Sequence, residues 1–362
     1  MRIAQIAPLY EDVPPRTYGG TERVIAGLCD GLVARGHDVT LFATGGSRTD
    51  ARLESVISAS LRVRMDPTEM ADIGGHLHLR MLADVYGQAS DFDVIHSHID
   101  LTTLPFVESS VTPTVLTLHG RLDTTVVQRV LPMYPGVPLV SISDHQREAV
   151  EGLPVDWVAT VPNGLDLDQY HRQRRGSGDY LAFVGRITGE KRPDLAVEVA
   201  RRTGWPLRVV AKVDPVDVDY YHSEIEPLFD SDDVDFVGEL DEPAKPAFYA
   251  GAAATLFPSD WPEPFGLVMI ESLAAGTPVI ALRRGAVPEV LEHGVSGFIC
   301  DDVDEMTDAV KRLRELDPAA CRRRAEDFGV DRMCARYERV YDAVLARSVT
   351  RAAPAQAVIA RS

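Results

Sequence analysis

Two doubly wound α/β domains, each a parallel sheet flanked by helices, are what this sequence predicts. Three observations lead there. At 362 residues the chain exceeds what one hydrophobic core usually organises. Short apolar, β-branched runs alternate with longer stretches of helical periodicity from end to end. A polar, charged stretch with two glycines, residues 168–179, interrupts that alternation near the middle, and a fresh strand pattern starts directly after it.

The strand candidates of the first half are residues 3–7, 39–43, 94–98, 114–118, 139–142 and 157–161. Those of the second half are 181–184, 207–211, 234–237, 254–257 and 279–282. Between the first two strands, Val24, Ile25, Leu28, Leu32 and Val33 keep helical spacing, and Gly36 ends the helix. Such alternation makes parallel sheets covered on both faces, and right-handed crossovers bring the ligand-binding loops to the carboxyl ends of the strands. The expected division is a first domain over 1–170, a linker over 171–178 and a second, similar domain over 179–330. A helix over 331–348 is expected to cross back to the first domain, followed by a disordered tail over 349–362.

Hydrophobic content of 45% with 25% charged residues is that of an ordinary globular protein. The amino terminus runs straight into a strand pattern without the features of a secretory signal, and no apolar run nears the roughly 18 residues of a membrane span. Cys29, Cys300, Cys321 and Cys334 form no Cys-x-x-Cys pair and are expected as reduced thiols in a cytoplasmic protein. A net charge of −18 argues against nucleic acid as a partner. Much of that charge is local, with twelve carboxylates and no lysine or arginine over residues 214–242, read as a solvated acidic face. The arginine-rich residues 311–351 read as a mixed-charge helix and leave room for a peripheral contact with anionic lipid.

The strongest chemical signal is Trp261-Pro-Glu-Pro-Phe-Gly-Leu-Val-Met-Ile-Glu271-Ser-Leu-Ala-Ala-Gly-Thr-Pro. Glu263 stands between two prolines, so it belongs to a loop. A helix is expected from about Phe265–Gly266, with Leu267, Ile270 and Leu273 on its buried face and Gly276 and Pro278 as its stop. Its first free amides, over Phe265, Gly266 and Leu267, form an end that accepts anions or hydroxyls. Two carboxylates eight residues apart, one in a loop and one in a helix, can grip different parts of one polyhydroxyl ligand.

The second signal is Phe183-Val-Gly185-Arg186-Ile-Thr-Gly-Glu-Lys191-Arg-Pro193. A strand ends at Gly185 and Pro193 opens a helix at its favoured first position, so Arg186 and Lys191 project from a strand-end loop. Cations there can offset the charge of a departing diphosphate. Third is Tyr18-Gly19-Gly20-Thr21-Glu22-Arg23 after the first strand. Its paired glycines let the backbone approach a ligand, and Thr21 is a candidate cap for the helix that follows. It lacks the Gly-x-Gly-x-x-Gly fingerprint of nicotinamide binding. His119 in Thr117-Leu-His-Gly120, and His98 with Asp100 in His96-Ser-His-Ile-Asp, stand at strand ends of the first domain.

These motifs, in this order and over roughly residues 1–345, resemble family 4 of the retaining glycosyltransferases, whose GT-B fold has two Rossmann-like domains facing across a cleft. The segments YGGTERV and LRVVAKVD are similar to a bacterial branch that includes antibiotic-tailoring enzymes. The resemblance implies transfer of a sugar from a nucleotide diphosphate sugar to an acceptor hydroxyl. It assigns Glu263 to the transferred sugar, Glu271 to the nucleotide ribose, and Arg186 with Lys191 to the leaving diphosphate. The backbone of Phe265, Gly266 and Leu267 meets sugar hydroxyls and phosphate. Gly19 and Gly20 lie at the donor phosphate and acceptor side, and His119 touches the donor sugar. Asn163-Gly164 matches a motif at the interdomain hinge, and His98 is a candidate for the acceptor side.

One departure concerns Ala211-Lys212-Val213-Asp214, where many members carry a glycine-rich turn. Lys212 is either a third phosphate cation or the neutraliser of the acidic run beside it, and the second reading is preferred. Asp-x-Asp pairs at Asp91/Asp93, Asp166/Asp168, Asp217/Asp219 and Asp233/Asp235 sit in no metal-loop context, so no metal cofactor is expected. An epimerase or phosphorylase on the same fold, or an idle sugar- or nucleotide-binding module, are the rival readings. The presence together of Arg186, Lys191, Glu263 and Glu271 weighs against the idle module.

Overall fold

The computed structural model describes residues 1–17, 19–170 and 178–359, with side chains to 348. Residues 171–177, most of the expected linker, therefore lie outside the described residues, as do Tyr18 of the first glycine motif and the last three residues of the expected tail. The chain divides into two compact units. Met1–Pro15, Gly19–Gly164 and the chain from Val330 onward belong to one, and Leu165–Gly329 to the other.

The first unit is built on seven strands: β1 (Arg2–Ile6), β2 (Asp38–Ala43), β3 (Arg52–Ser55), β4 (Val94–Ser97), β5 (Thr114–Thr117), β6 (Pro138–Ser141) and β7 (Asp156–Thr160). They lie in the order β3-β2-β1-β4-β5-β6-β7, every neighbouring pair parallel. Strand alternation sends β1 side chains to both faces. Ala4 and Ile6 pack with Phe42, Ile95 and the Met81, Leu82 and Val85 stripe of helix Pro67–Gly87. Asp66 caps that helix, accepting from the amides of Thr68 and Glu69. Gln5 points to the opposite face, where its amide meets Tyr341 of the C-terminal helix Val330–Ile359. That helix packs along helix Gly20–Ala34 and is pinned by Glu338, which takes Arg35 at 2.7 Å and His37 at 2.9 Å. Its backbone includes residues 349–359, where the sequence predicts a tail.

Six strands make the second sheet: β8 (Tyr180–Arg186), β9 (Leu207–Lys212), β10 (Val234–Gly238), β11 (Ala252–Phe257), β12 (Val279–Leu282) and β13 (Gly297–Cys300). Their order is β10-β9-β8-β11-β12-β13, again all parallel. Ala196, Val197 and Ala200 of helix Pro193–Thr203 and Met306 and Val310 of helix Val303–Lys311 bury one face against Leu181, Phe183, Val209 and Leu256. Ala182 and Val210 face the other way, against Phe248 of helix Lys245–Gly251.

Both sheets are doubly wound, and in both the strand order reverses beside the first strand: between β1 and β4, and between β8 and β11. At such a point the loops at the carboxyl ends diverge to opposite faces and leave a crevice. Two strands lie outside the sequence expectation. β3 is an edge strand whose residues Arg-Leu-Glu-Ser are partly exposed, so it carries no buried apolar run. β13 is only four residues long and opens on a glycine after a turn. Among the described residues no helix is long and apolar enough to cross a membrane.

Candidate active site

In the second unit the strand order decides which side chains meet. Arg186 and Lys212 are the last residues of β8 and β9 and are register partners, so parallel pairing sets two cations side by side at the carboxyl ends. Asp214 lies beyond β9 and takes both: Lys212 Nζ at 2.9 Å and an Arg186 guanidinium nitrogen at 3.7 Å. Lys212 thus neutralises the nearest carboxylate of the acidic run. Elsewhere in that run Asp235 pairs with Arg208 at 2.8 Å and Asp233 with Arg201 at 3.4 Å, so neighbouring strands and helices supply counter-charges.

Beyond β8 the chain turns at Thr188, whose carbonyl accepts from the Lys191 amide at 3.1 Å. Arg192 adopts a left-handed conformation, φ 52°, and Pro193 opens the next helix. Lys191 reaches across the switch point to form an ion pair with Glu263, which follows β11, and its ammonium lies over the Trp261 ring. Both partners are mostly buried, at 13% and 16% side-chain exposure, which strengthens their attraction relative to a surface pair. The loop bearing Glu263 is held from two sides. Asp260 N–H donates to the Glu190 carbonyl, and Ala286 N–H donates to the Glu263 carbonyl, each at 3.0 Å. Gly285, with φ 54°, lets the backbones touch, since a Cβ there would stand 2.3 Å from the Glu263 carbonyl oxygen.

Gly266 adopts φ 90° and is the N-cap of helix Leu267–Ala274, so the helix begins just after the expected Phe265–Gly266 start. No side chain caps that end. Phe265 is buried against Phe328. Glu271, one turn into the helix, is 1% exposed and accepts a 2.5 Å hydrogen bond from the Tyr249 hydroxyl. The second unit thus sets Arg186 and Lys212 on Asp214, Lys191 on Glu263 just ahead of the 265–267 backbone, and Glu271 on Tyr249.

In the first unit, Gly19 and Gly20 follow β1 and begin helix Gly20–Ala34, with Gly19 at the N-cap and Arg23 N–H donating to its carbonyl at 3.2 Å. Thr21 is not the cap that the sequence suggests. The helix starts one residue before it, leaving its hydroxyl inside the first turn, and no side chain caps this end. His98 and His119 lie just past the ends of β4 and β5, with His98 Nδ1 2.8 Å from His119 Nε2. His98 is buried and its other nitrogen meets Gln5 Oε1 at 3.0 Å, so protein groups take both of its nitrogens rather than an open face. Asn163 is buried with no partner for its Oδ1 among the described residues, and the Gly164 amide rests on the Met333 sulfur at 3.1 Å.

Sequence reasoning does not single out Asp214, Tyr249, Gly285 or Gln5 as site residues, because each acts through a contact with a distant residue. The signal nearest to hand was Gln5 itself, a polar side chain inside an apolar strand.

Comparison with known proteins supplies the family. A model described as "Glycosyltransferase Family 4" matches residues 18–169, and one described as "Glycosyl transferases group 1" matches residues 170–327. Phosphatidyl-myo-inositol mannosyltransferase of Mycobacterium tuberculosis is 28% identical over 336 residues, spanning 83% of this chain and 82% of that protein. Sucrose-phosphate synthase from Thermosynechococcus elongatus superposes with a TM-score of 0.77 at 18% identity, over 96% of this chain and 99% of the other. The Anabaena HepE protein in complex with UDP and glucose gives 0.73 at 16% identity, over 95% of this chain and all of the other (100%). With both halves matched in order, the chain belongs to the GT-B glycosyltransferases, carrying the family 4 model in its first half and the group 1 model in its second.

Proposed function

We propose that this glycosyltransferase moves a sugar from a nucleotide diphosphate sugar to an acceptor hydroxyl with retention of anomeric configuration and without a metal. The observation that carries the reading is the Lys191–Glu263 pair spanning the switch point between β8 and β11, with Arg186 at the end of β8 and a helix without a side-chain cap opening at Gly266, three residues after Glu263. A diphosphate in that crevice would meet Arg186, Lys191 and free amides, which together offset the charge of the leaving nucleotide. Glu263 would orient Lys191 before the donor arrives and face the sugar once the diphosphate competes for the ammonium. Glu271, fixed by Tyr249, would take the ribose hydroxyls, and His119 with the Gly19–Gly20 backbone would meet the donor from the first unit. The acceptor hydroxyl would attack the face the nucleotide leaves, so the enzyme needs no nucleophile of its own. Metal independence is proposed on the ground that Arg186 and Lys191 can meet the diphosphate charge themselves. The binding of UDP and UDP-glucose by a structural relative supports a nucleotide-sugar donor.

The test is calorimetric binding and turnover of purified protein against UDP-, GDP-, ADP- and TDP-sugars, followed by proton NMR of the fresh product. The expected outcome is binding of one nucleotide class and a product that keeps the donor's anomeric configuration. An inverted linkage would overturn the retaining assignment, and absence of binding across the panel would overturn the donor class.

A further inference from the structure

A continuous chain of hydrogen bonds, buried except at its last link, threads seven polar side chains of the first unit and ends on the half-buried His119. Tyr337 Oη lies 2.9 Å from Thr117 Oγ1, which lies 2.8 Å from His96 Nε2. His96 Nδ1 meets Tyr341 Oη at 2.9 Å, and Tyr341 accepts from Gln5 Nε2 at 2.9 Å. Gln5 Oε1 meets His98 Nε2 at 3.0 Å, and His98 Nδ1 meets His119 Nε2 at 2.8 Å. The fold brings them together through simple periodicities. Gln5 and His96 are register partners on adjacent strands, His96 and His98 are two residues apart, as are Thr117 and His119, and Tyr337 and Tyr341 are one helical turn apart.

So many polar groups in a core are costly unless each is satisfied, and apolar residues would pack there at no such cost. Burial pushes His96 and His98 well below the ordinary histidine range and His119 down to about 4. All three rings are therefore neutral near pH 7, each with one N–H and one bare nitrogen. The amide of Gln5 then sets the direction. Its oxygen only accepts, so His98 carries its proton on Nε2 and its bare Nδ1 accepts from His119 Nε2–H. His119 Nδ1 is left as an acceptor. Tyr341 holds the amide in that sense by accepting from its nitrogen, and the backbone N–H of His119 is fixed on the Asp100 carboxylate.

We propose that Tyr341, Gln5 and His98 are positioning residues that hold His119 in one plane and one tautomer, with Nδ1 ready to accept a hydrogen bond from a hydroxyl of the transferred sugar. This rests on the reading of His119 as a donor-sugar contact. By it, a hydroxyl of the C-terminal helix determines how a residue at the end of β5 recognises the sugar.

Imidazole nitrogen NMR of the ligand-free full chain tests the relay without any donor. Wild-type His119 should be protonated at Nε2 and bare at Nδ1. Gln5→Met and Tyr341→Phe should each give mixed or reversed tautomers, whereas Gln5→Glu, which keeps an acceptor for His98, should preserve the wild-type state. Tyr341→Phe, close to isosteric, keeps the test open if Gln5→Met does not fold. A single unchanged His119 tautomer in the folded variants would overturn the relay. Release of nucleoside diphosphate from UDP-, GDP-, ADP- and TDP-glucose is then compared. Gln5→Met and Tyr341→Phe should lower kcat about 10- to 100-fold while leaving affinity for the bare nucleoside diphosphate of the active donor unchanged, and Gln5→Glu should recover most of the loss. Altered tautomers with undiminished kcat, in an enzyme that His119→Ala inactivates, would reject the positioning role. Full turnover in His119→Ala would instead reject the donor-sugar reading and leave the tautomer result standing.

Discussion

Glu22 sits in the first turn of helix Gly20–Ala34 with 6% of its surface exposed, and desolvation raises its carboxyl to about 7 from an ordinary 4.5. Between those values the folded chain holds a proton that the unfolded chain has released, so stability falls as pH rises through the window. Glu22→Gln should therefore stabilise the protein at pH 8, by at most about 3 kcal/mol, and change little at pH 4. Urea unfolding at the two pH values checks this, and an equal gain at both would point to packing rather than charge. Single residues were legible in the sequence where a local pattern constrained them. Glu263 between two prolines lies in a loop, and Pro193 opens a helix, as their neighbours dictate. Residues defined by their partners were not. Nothing local to Tyr249 announces Glu271, nothing at Asp214 announces Arg186 and Lys212 together, and Thr21 looks like a cap until Gly19 takes that position.

The C-terminal helix is held to the first unit by an element-scale device. Glu338 is drawn down to about 2 by its hydrogen bond from Arg35, with His37 adding to it. Its contribution is present above about 4.5, the ordinary value, and is lost as pH falls towards 2. Glu338→Gln should lower the stability of the first unit by about 0.5–1 kcal/mol at pH 7, since the partners are partly exposed, and the difference should shrink below pH 4. Thermal melts across that range measure it, and a difference that persisted at pH 2 would contradict the ion-pair account. Burial alone did not decide which elements were legible, since β13 is fully buried and was missed while the half-buried β7 was read. Eleven of the thirteen strands were read from an apolar run, whereas β3 lies at an edge with polar residues and the buried Phe-Ile-Cys run of β13 follows a glycine that reads as a turn. Helix Leu267–Ala274 departs from the one-sided face the sequence suggests: Ile270 and Leu273 are buried but Leu267 is half-buried, and Met269 to Ala274 are buried in succession, with Glu271 among them on Tyr249.

At the scale of the molecule, a chain of net charge −18 is proposed to bind a polyanionic donor, and it would do so with Arg186 and Lys191, each already coupled to a carboxylate. Those couplings leave the cations pre-oriented and put the cost of releasing them on donor binding, which is why protein charge rather than a metal is proposed to meet the diphosphate. Activity on the true donor should accordingly survive excess EDTA, and a tenfold or larger loss restored by Mg²⁺ or Mn²⁺ would reverse that proposal. The doubly wound class of both units was legible from alternating strands and helices, but the strand order was not. Only the order shows that β8 and β11 are neighbours and that Lys191 and Glu263 therefore meet. The most direct measurement of the central claim is the turnover of Arg186→Ala and Lys191→Ala with the active donor, beside affinity for the bare nucleoside diphosphate. Each variant should stay folded and lose on the order of 100- to 1,000-fold in kcat, with a smaller loss of nucleotide affinity, because the charges act mainly on the departing group. Full activity in both variants would contradict the account and move the leaving group elsewhere.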